Sequence, residues 1–275
     1  VEIKRRSDKG LTRFIPSRLK EFQQKMLRSY NKILKLQDRP EQTIHLRELS
    51  KKRGYSLELI KSLGMIYLPS SDYLLENCYD LRFETMVEMG LYYSNGKSQF
   101  ENAIVIPVYT PFGIQGFIGY DLYETYEGKY FNSSTKYYHK NRTFYGAENL
   151  PEIYKKDEAY IVEGVFDRVA FESIDITNVL STIGSLTTRK LELLKSVNKL
   201  IVVPDSPLID YATFKVKGKQ VKSYGYWKHI ISKERGGLRD KFLKINAKND
   251  QEEYIMDVDE LLRVKGKDYF KRFIK

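Results

Sequence analysis

Tyr160-Ile161-Val162-Glu163-Gly164-Val165-Phe166-Asp167 is an apolar run that stops at a carboxylate, turns on a glycine and reopens as a second apolar segment. A buried parallel strand delivers an acidic side chain to the carboxyl edge of a sheet in this way. Leu200-Ile201-Val202-Val203-Pro204-Asp205 repeats the apolar run and its terminal acid, and Asp257-Val258-Asp259-Glu260 supplies a third acidic group. Strand ends at the carboxyl edge lie side by side, so Glu163 and Asp205 can share one crevice despite their separation in the chain. Clustered carboxylates repel unless a cation neutralises them. Hard oxygen ligands suit Mg²⁺ or Mn²⁺, whose natural substrates carry phosphates. Asp167 falls in the first turn of the next helix, where it can cap that helix or support the metal shell. Asp257 and Asp259 can project to one side of an extended segment, or they can cap a terminal helix that starts near Glu260.

Outward from that stretch the pattern alternates. Strands are predicted at 159–163, 178–182, 200–203 and 242–246, and helices at 165–173, 187–197 and 226–233. The alternation predicts a parallel sheet with helices on both faces. Residues 214–222 are Lys-rich around Gly218 and read as a hairpin or a loop. Upstream, helical spacing covers 17–36, 45–52, 57–63, 72–76 and 83–89. The period then becomes that of strands, at 104–109 and 116–120 around the turn signal Thr110-Pro111-Phe112-Gly113. The expected architecture is α/β, with an α+β lobe over 1–150 followed by the parallel-sheet domain over 151–275. Between 129 and 146, Lys129-Tyr130-Phe131-Asn132 and His139-Lys140-Asn141-Arg142 interleave aromatic and basic side chains. That mixture can stack bases and hold phosphates, or it can be an exposed polar loop.

Composition narrows the chemistry. A chain of 275 residues, 41% hydrophobic, buries one large core or two modest ones. Lys and Arg number 47 against 36 acidic residues, a net charge of +11 that suits a polyanionic partner or simply a soluble surface. The single cysteine, Cys78, excludes an internal disulfide. His45, His139 and His229 lack zinc-ligand spacing, so a catalytic metal must sit on carboxylates. No apolar stretch reaches the roughly 18 to 20 residues of a membrane span and no signal peptide is visible, so the expected compartment is cytoplasmic, without a membrane partner.

These segments resemble, in order, the catalytic core of the DnaG-like DNA primases of bacteria and phages. Arg53-Gly54-Tyr55-Ser56-Leu57-Glu58 with Leu63-Gly64 is similar to the family's RGLS segment. Ile104-Val105-Ile106-Pro107-Val108 with Gly116-Phe117-Ile118-Gly119 is similar to its glycine hairpin, and Lys129-Tyr130-Phe131-Asn132-Ser133 with His139-Lys140 and Phe144-Tyr145-Gly146 to its KYLNSP, FHK and LYG segments. Val162-Glu163-Gly164 with Asp167, Ile183-Gly184-Ser185-Leu186-Thr187, and Asp257-Val258-Asp259-Glu260-Leu261 resemble its VEGYMD, LGTALT and DPDEFL motifs.

The resemblance implies a TOPRIM-type parallel sheet and metal-dependent synthesis of short RNA primers from ribonucleoside triphosphates on single-stranded DNA. It implies that Glu163, Asp205, Asp257 and Asp259 hold two or more Mg²⁺ or Mn²⁺ ions, with Glu163 and Asp205 catalytic. Lys129, Asn132 and Lys140 then line the ground for nucleotide or template. A replicative helicase and a separate zinc-binding module are further implied partners, in the cytoplasm of a bacterium or a phage-infected host. The sequence departs from the family at several points, one being the absence of the family's arginines around Glu101-Asn102-Ala103. Pro207 stands where the second acid of an Asp-x-Asp pair belongs, so that ligand is absent or supplied by Asp210. Tyr120 replaces the arginine that closes the glycine hairpin. A TOPRIM-type nuclease and a non-catalytic single-stranded DNA-binding module are the alternative readings.

Overall fold

The computed structural model describes residues 17–126, 128–133, 138–208, 213–216, 219–236 and 239–275, with the backbone alone at 213–215. The chain divides into two compact units between Tyr138 and His139.

In the first unit, helix α1 (Ser17–Leu34) buries Phe22, Met26, Tyr30 and Ile33, one face at helical spacing. Helix α2 (Pro40–Arg53) starts on proline, whose missing N–H is no loss at a first turn. In α3 (Leu57–Ser62) the Ser56 hydroxyl accepts the Leu59 N–H at 3.1 Å and so caps the helix. Short helices α4 (Tyr73–Asn77) and α5 (Phe83–Met89) follow.

These helices flank an antiparallel sheet of order β1-β2-β3-β4, made of Ile66–Leu68, Ala103–Thr110, Gly113–Tyr120 and Tyr130–Asn132. The predicted hairpin is β2–β3, and its turn comes down on α1. A Cβ at Gly113 would lie 2.2 Å from the Gln23 carbonyl oxygen, and φ there is +140°, so only glycine permits this approach. Strand β1 has no counterpart in the sequence reading, and β4 occupies part of the stretch read there as a binding surface or loop.

The second unit holds a parallel sheet of order β10-β7-β5-β6: Lys241–Phe242, Lys199–Val203, Glu158–Val162 and Val179–Ser181. Alternation sorts its side chains to two faces. Ala159, Ile161, Leu180, Leu200 and Val202 share a core with Ile153 of α6 (Leu150–Lys156), Leu191 of α8 (Thr188–Glu192) and Trp227 of α9 (Ser223–Arg235). Tyr160, on the other face, meets Phe171 of α7 (Val165–Glu172), which meets Phe270 of α10 (Val258–Phe273). The expected parallel sheet covered on both faces is therefore present. Hairpin β8–β9 (Thr213–Val216, Lys219–Lys222) lies between β7 and α9.

Three boundaries differ from expectation. Residues 139–150 pack with the second unit rather than the first, because Phe144, Ala147 and Leu150 enter its core and Tyr145 bridges Ser181. Helix α8 ends at Glu192 instead of 197. Leu191, Leu194 and Val197 are spaced by three, and successive i→i−3 bonds carry the chain through turns that bury all three. Of the predicted strand 242–246 only Phe242 pairs with β7, joined by Lys241 before it. Among the described residues no helix is long and apolar enough to cross a membrane.

Candidate active site

Strands β5 and β7 pair in register through Val162 and Val203, so the acids that follow them emerge at the same edge. The Asp205 N–H donates to Glu163 Oε1 at 3.1 Å. Just beyond, the Ser206 N–H donates to the Met256 carbonyl at 2.7 Å, drawing the segment before α10 to the end of β7.

Asp167 ties the other side. Its Oδ2 accepts the Gly164 N–H at 2.7 Å and its Oδ1 accepts the Asp259 N–H at 3.1 Å, so one buried carboxylate joins the starts of α7 and α10 across 92 residues of chain. Burial pushes the Asp167 carboxyl well above the ordinary range, and the charges of Asp257 and Asp205 push it further. Those two carboxylates therefore lie close enough to Asp167 to repel its charged form.

Asp257 is the N-cap of α10. Its Oδ1 accepts the Glu260 N–H at 2.7 Å, and Glu260 Oε2 accepts the N–H of Met256, the residue before the cap, at 2.8 Å. Asp259 is 1% exposed, with Oδ2 3.5 Å from Arg263 Nε. Capping occupies one oxygen of Asp257, so the cap and an acidic-site role are compatible. Glu163 and Asp205 are half-buried. Among the described residues, no three His, Cys, Asp or Glu side chains stand close enough to hold one ion between them. The acids are neighbours rather than a closed ligand shell. Their donor set, all carboxylate oxygens that repel one another, nonetheless fits a hard divalent cation such as Mg²⁺ or Mn²⁺. Asp210 lies outside the described residues.

The basic residues divide between the units. Lys129 and Asn132 are exposed, Lys129 beside β4 with Nζ 6.0 Å from the Tyr130 ring centre and Asn132 on it, accepting the Tyr138 hydroxyl at 3.0 Å. Lys140 is exposed in the second unit. Tyr120 is buried, and its hydroxyl accepts Arg53 Nη2 at 3.1 Å, so a guanidinium from α2 reaches the end of the glycine hairpin.

Sequence reasoning missed Lys190. It looks like a surface lysine on a short helix but is 1% exposed. Its Nζ donates to the Thr182 carbonyl and, at 3.0 Å, to the Ser185 carbonyl. This braces the loop after β6, from which the Ile183 N–H at 3.1 Å and the Ser181 hydroxyl at 2.9 Å reach the Glu163 carbonyl. Burial, and then the charge of Lys140, push the Lys190 pKa from 10.5 down to about 7.

A lysine depressed in the folded state leaves the unfolded chain holding more protons between pH 7 and about 10, so stability rises with pH across that window. Below pH 7 the penalty of the buried charge is fully present. Lys190→Met should remove the slope. From pH 7 to 9 the wild-type protein should gain about 2 kcal/mol relative to the variant. Denaturant unfolding at both pH values checks this, and an unchanged difference between the two proteins would refute it.

A family model described as DNA primase catalytic core, N-terminal domain, matches residues 32–150. A DNA primase of Pseudomonas putida is 27% identical over 234 residues, 80% of this chain and 33% of that protein, so the chain spans about a third of the length of this relative. The RNA polymerase domain of Mycobacterium tuberculosis primase DnaG superposes with a TM-score of 0.70 at 19% identity, over 90% of this chain and 82% of that one. A DnaG primase catalytic domain bound to single-stranded DNA superposes with a TM-score of 0.67 at 21% identity, over 92% and 79% of the two chains. Over residues 32–150 the chain matches the N-terminal domain of the DNA primase catalytic core, and over nine-tenths of its length it shares the fold of DnaG primase catalytic domains.

Proposed function

We propose that this chain is a primase catalytic core that makes short RNA primers on single-stranded DNA, with the second unit a TOPRIM-type catalytic domain. The observation that supports the reading is the acidic edge of the parallel sheet, where Glu163 accepts the Asp205 N–H and buried Asp167 accepts the Asp259 N–H within reach of the charges of Asp205 and Asp257. Divalent cations bound there would lower the pKa of a primer 3′-hydroxyl and neutralise charge on an incoming triphosphate. Glu163 and Asp205 would hold them from the strand ends, and Asp257 and Asp259 from the start of α10. Asp167 would fix the spacing of the two groups through its paired N–H bonds. Lys129, Asn132 and Lys140 would meet template or nucleotide phosphates, so binding should weaken steeply with salt.

The setting is cytoplasmic DNA replication in a bacterium or phage-infected cell, with a helicase and a separate zinc-binding module as partners. Labelled ribonucleotides, Mn²⁺ and random-sequence single-stranded DNA should give short RNA products that EDTA abolishes. Strand cutting without nucleotides would instead identify a nuclease. DNA binding with neither activity would leave a non-catalytic module.

A further inference from the structure

The segment between Asp210 and Glu234 holds six lysines and no acidic residue, and four of the lysines fall within 215–222. Chain order places this segment directly after the acidic end of β7, and the packing of α9 fixes which edge of the sheet it occupies. At the C-terminal end of α9, Arg235 donates to the Leu194 and Val197 carbonyls and pairs with Asp240, which accepts the Leu200 N–H at the start of β7. That end of α9 therefore sits at the amino edge of the sheet. A helix of 13 residues rises roughly 20 Å, comparable with the length of β7. Its N-terminus therefore lies at the opposite edge, where Glu163 and Asp205 emerge.

The hairpin is anchored at that N-terminus. A Cβ at Gly225 in the first turn of α9 would be 3.4 Å from Val221 Cβ, so the Val221 side of β9 packs on the helix. Lys219, Gln220 and Lys222 of β9 are exposed. Among the described residues no acidic side chain pairs with Lys219 or Lys222. Lys244, two residues past β10 at the same edge, is exposed and stands 4.8 Å from the ring centre of Tyr224, at the start of α9.

We propose that hairpin β8–β9, through Lys219 and Lys222 with Lys244 beside it, is a docking surface for the phosphodiester backbone of the nucleic acid whose reacting end lies at the acidic edge. The occupant follows from charge and position. A run of cations without interspersed acids fits a polyanion, and its place beside metal-site carboxylates fits the strand that the site acts on. The proposal rests on the primase reading for the identity of that strand, but not for the binding itself.

The test compares Lys219→Glu/Lys222→Glu with Lys155→Glu/Lys195→Glu. The second pair makes the same change in net charge on exposed residues that flank β5 and β7 at the amino edge. Fluorescence anisotropy with labelled oligo-dT and with an RNA–DNA hybrid, without nucleotides, gives affinity across a salt series. The hairpin pair should weaken binding at least tenfold and flatten the slope of log K against log salt by about 1.4 to 1.8, the release expected from two phosphate contacts. The amino-edge pair should leave the slope unchanged. Equal losses from both pairs, or no loss from the hairpin pair, would overturn the proposal. Binding that depends on the hairpin in a protein that synthesises no RNA would uphold the docking surface and defeat the primase reading instead.

Discussion

Glu163→Gln should lower metal-dependent primer synthesis by about a hundredfold or more while the protein stays folded. The separation of these two effects follows from the geometry. Glu163 Oε1 accepts the Asp205 N–H, and a glutamine carbonyl can accept the same bond, so the substitution removes charge and keeps the link between the two strand ends. If the carboxylate helps hold a cation that stabilises a triphosphate transition state, losing it forfeits several kcal/mol of charge stabilisation. A hundredfold corresponds to about 2.7 kcal/mol. Asp205→Asn tests the opposite strand end in the same way. Thermal unfolding with and without Mn²⁺ supplies the independent readout: the wild-type protein should gain stability with the ion, and Glu163→Gln should gain much less. Undiminished dinucleotide synthesis by Glu163→Gln would end the assignment of this edge as the catalytic centre.

How much of this was legible beforehand depended on whether the signal was local. Strands β5 and β7 are continuous apolar runs ending in acids, the pattern of a doubly covered parallel strand, and the carboxyl-edge placement of Glu163 and Asp205 followed from it. Strand β1 was invisible because Ile66, Tyr67 and Leu68 are all buried in a strand too short to show alternation, and the pairing of Ile66 with Val105 comes from outside the segment. Tyr130–Asn132 looked like a binding loop because its pairing with β3 is likewise written elsewhere.

The same division holds at the site. Asp167 was readable as a cap of the helix that follows β5 or a support of the metal shell, and the cap is its bond to the Gly164 N–H. Its second bond, to the Asp259 N–H, spans 92 positions and exists only once α10 has packed beside α7. Lys190 was unreadable for a different reason. Burying an ammonium is unfavourable, and nothing in Thr188-Arg189-Lys190-Leu191 announces that two loop carbonyls wait for it.

Arg168→Met should destabilise the protein by about 3 to 5 kcal/mol, the range for leaving a buried ionic group without its partner. The Arg168 side chain is 2% exposed, and its guanidinium lies between Glu148 at 2.7 Å and Glu172, over the Tyr145 ring at 4.5 Å. Burial works against that charge, but Glu148, Tyr145 and Glu172 outweigh it and raise the guanidinium pKa. Glu172 is held the opposite way: burial raises its carboxyl, Arg168 lowers it, and Glu148 raises it again. Arg168 therefore joins α7 to the segment that carries Tyr145 and Glu148 into the second core. Methionine fills comparable volume yet leaves two acids facing each other, one of them 12% exposed. For a domain of this size the loss should appear as a fall in Tm on the order of 10 °C. Arg168→Met/Glu172→Gln should recover a large part of it, because the repulsion disappears with the second charge. A single variant within about 1 kcal/mol of wild type, or a double variant no better than the single one, would show that the guanidinium serves as packing rather than as the counter-charge of this cluster.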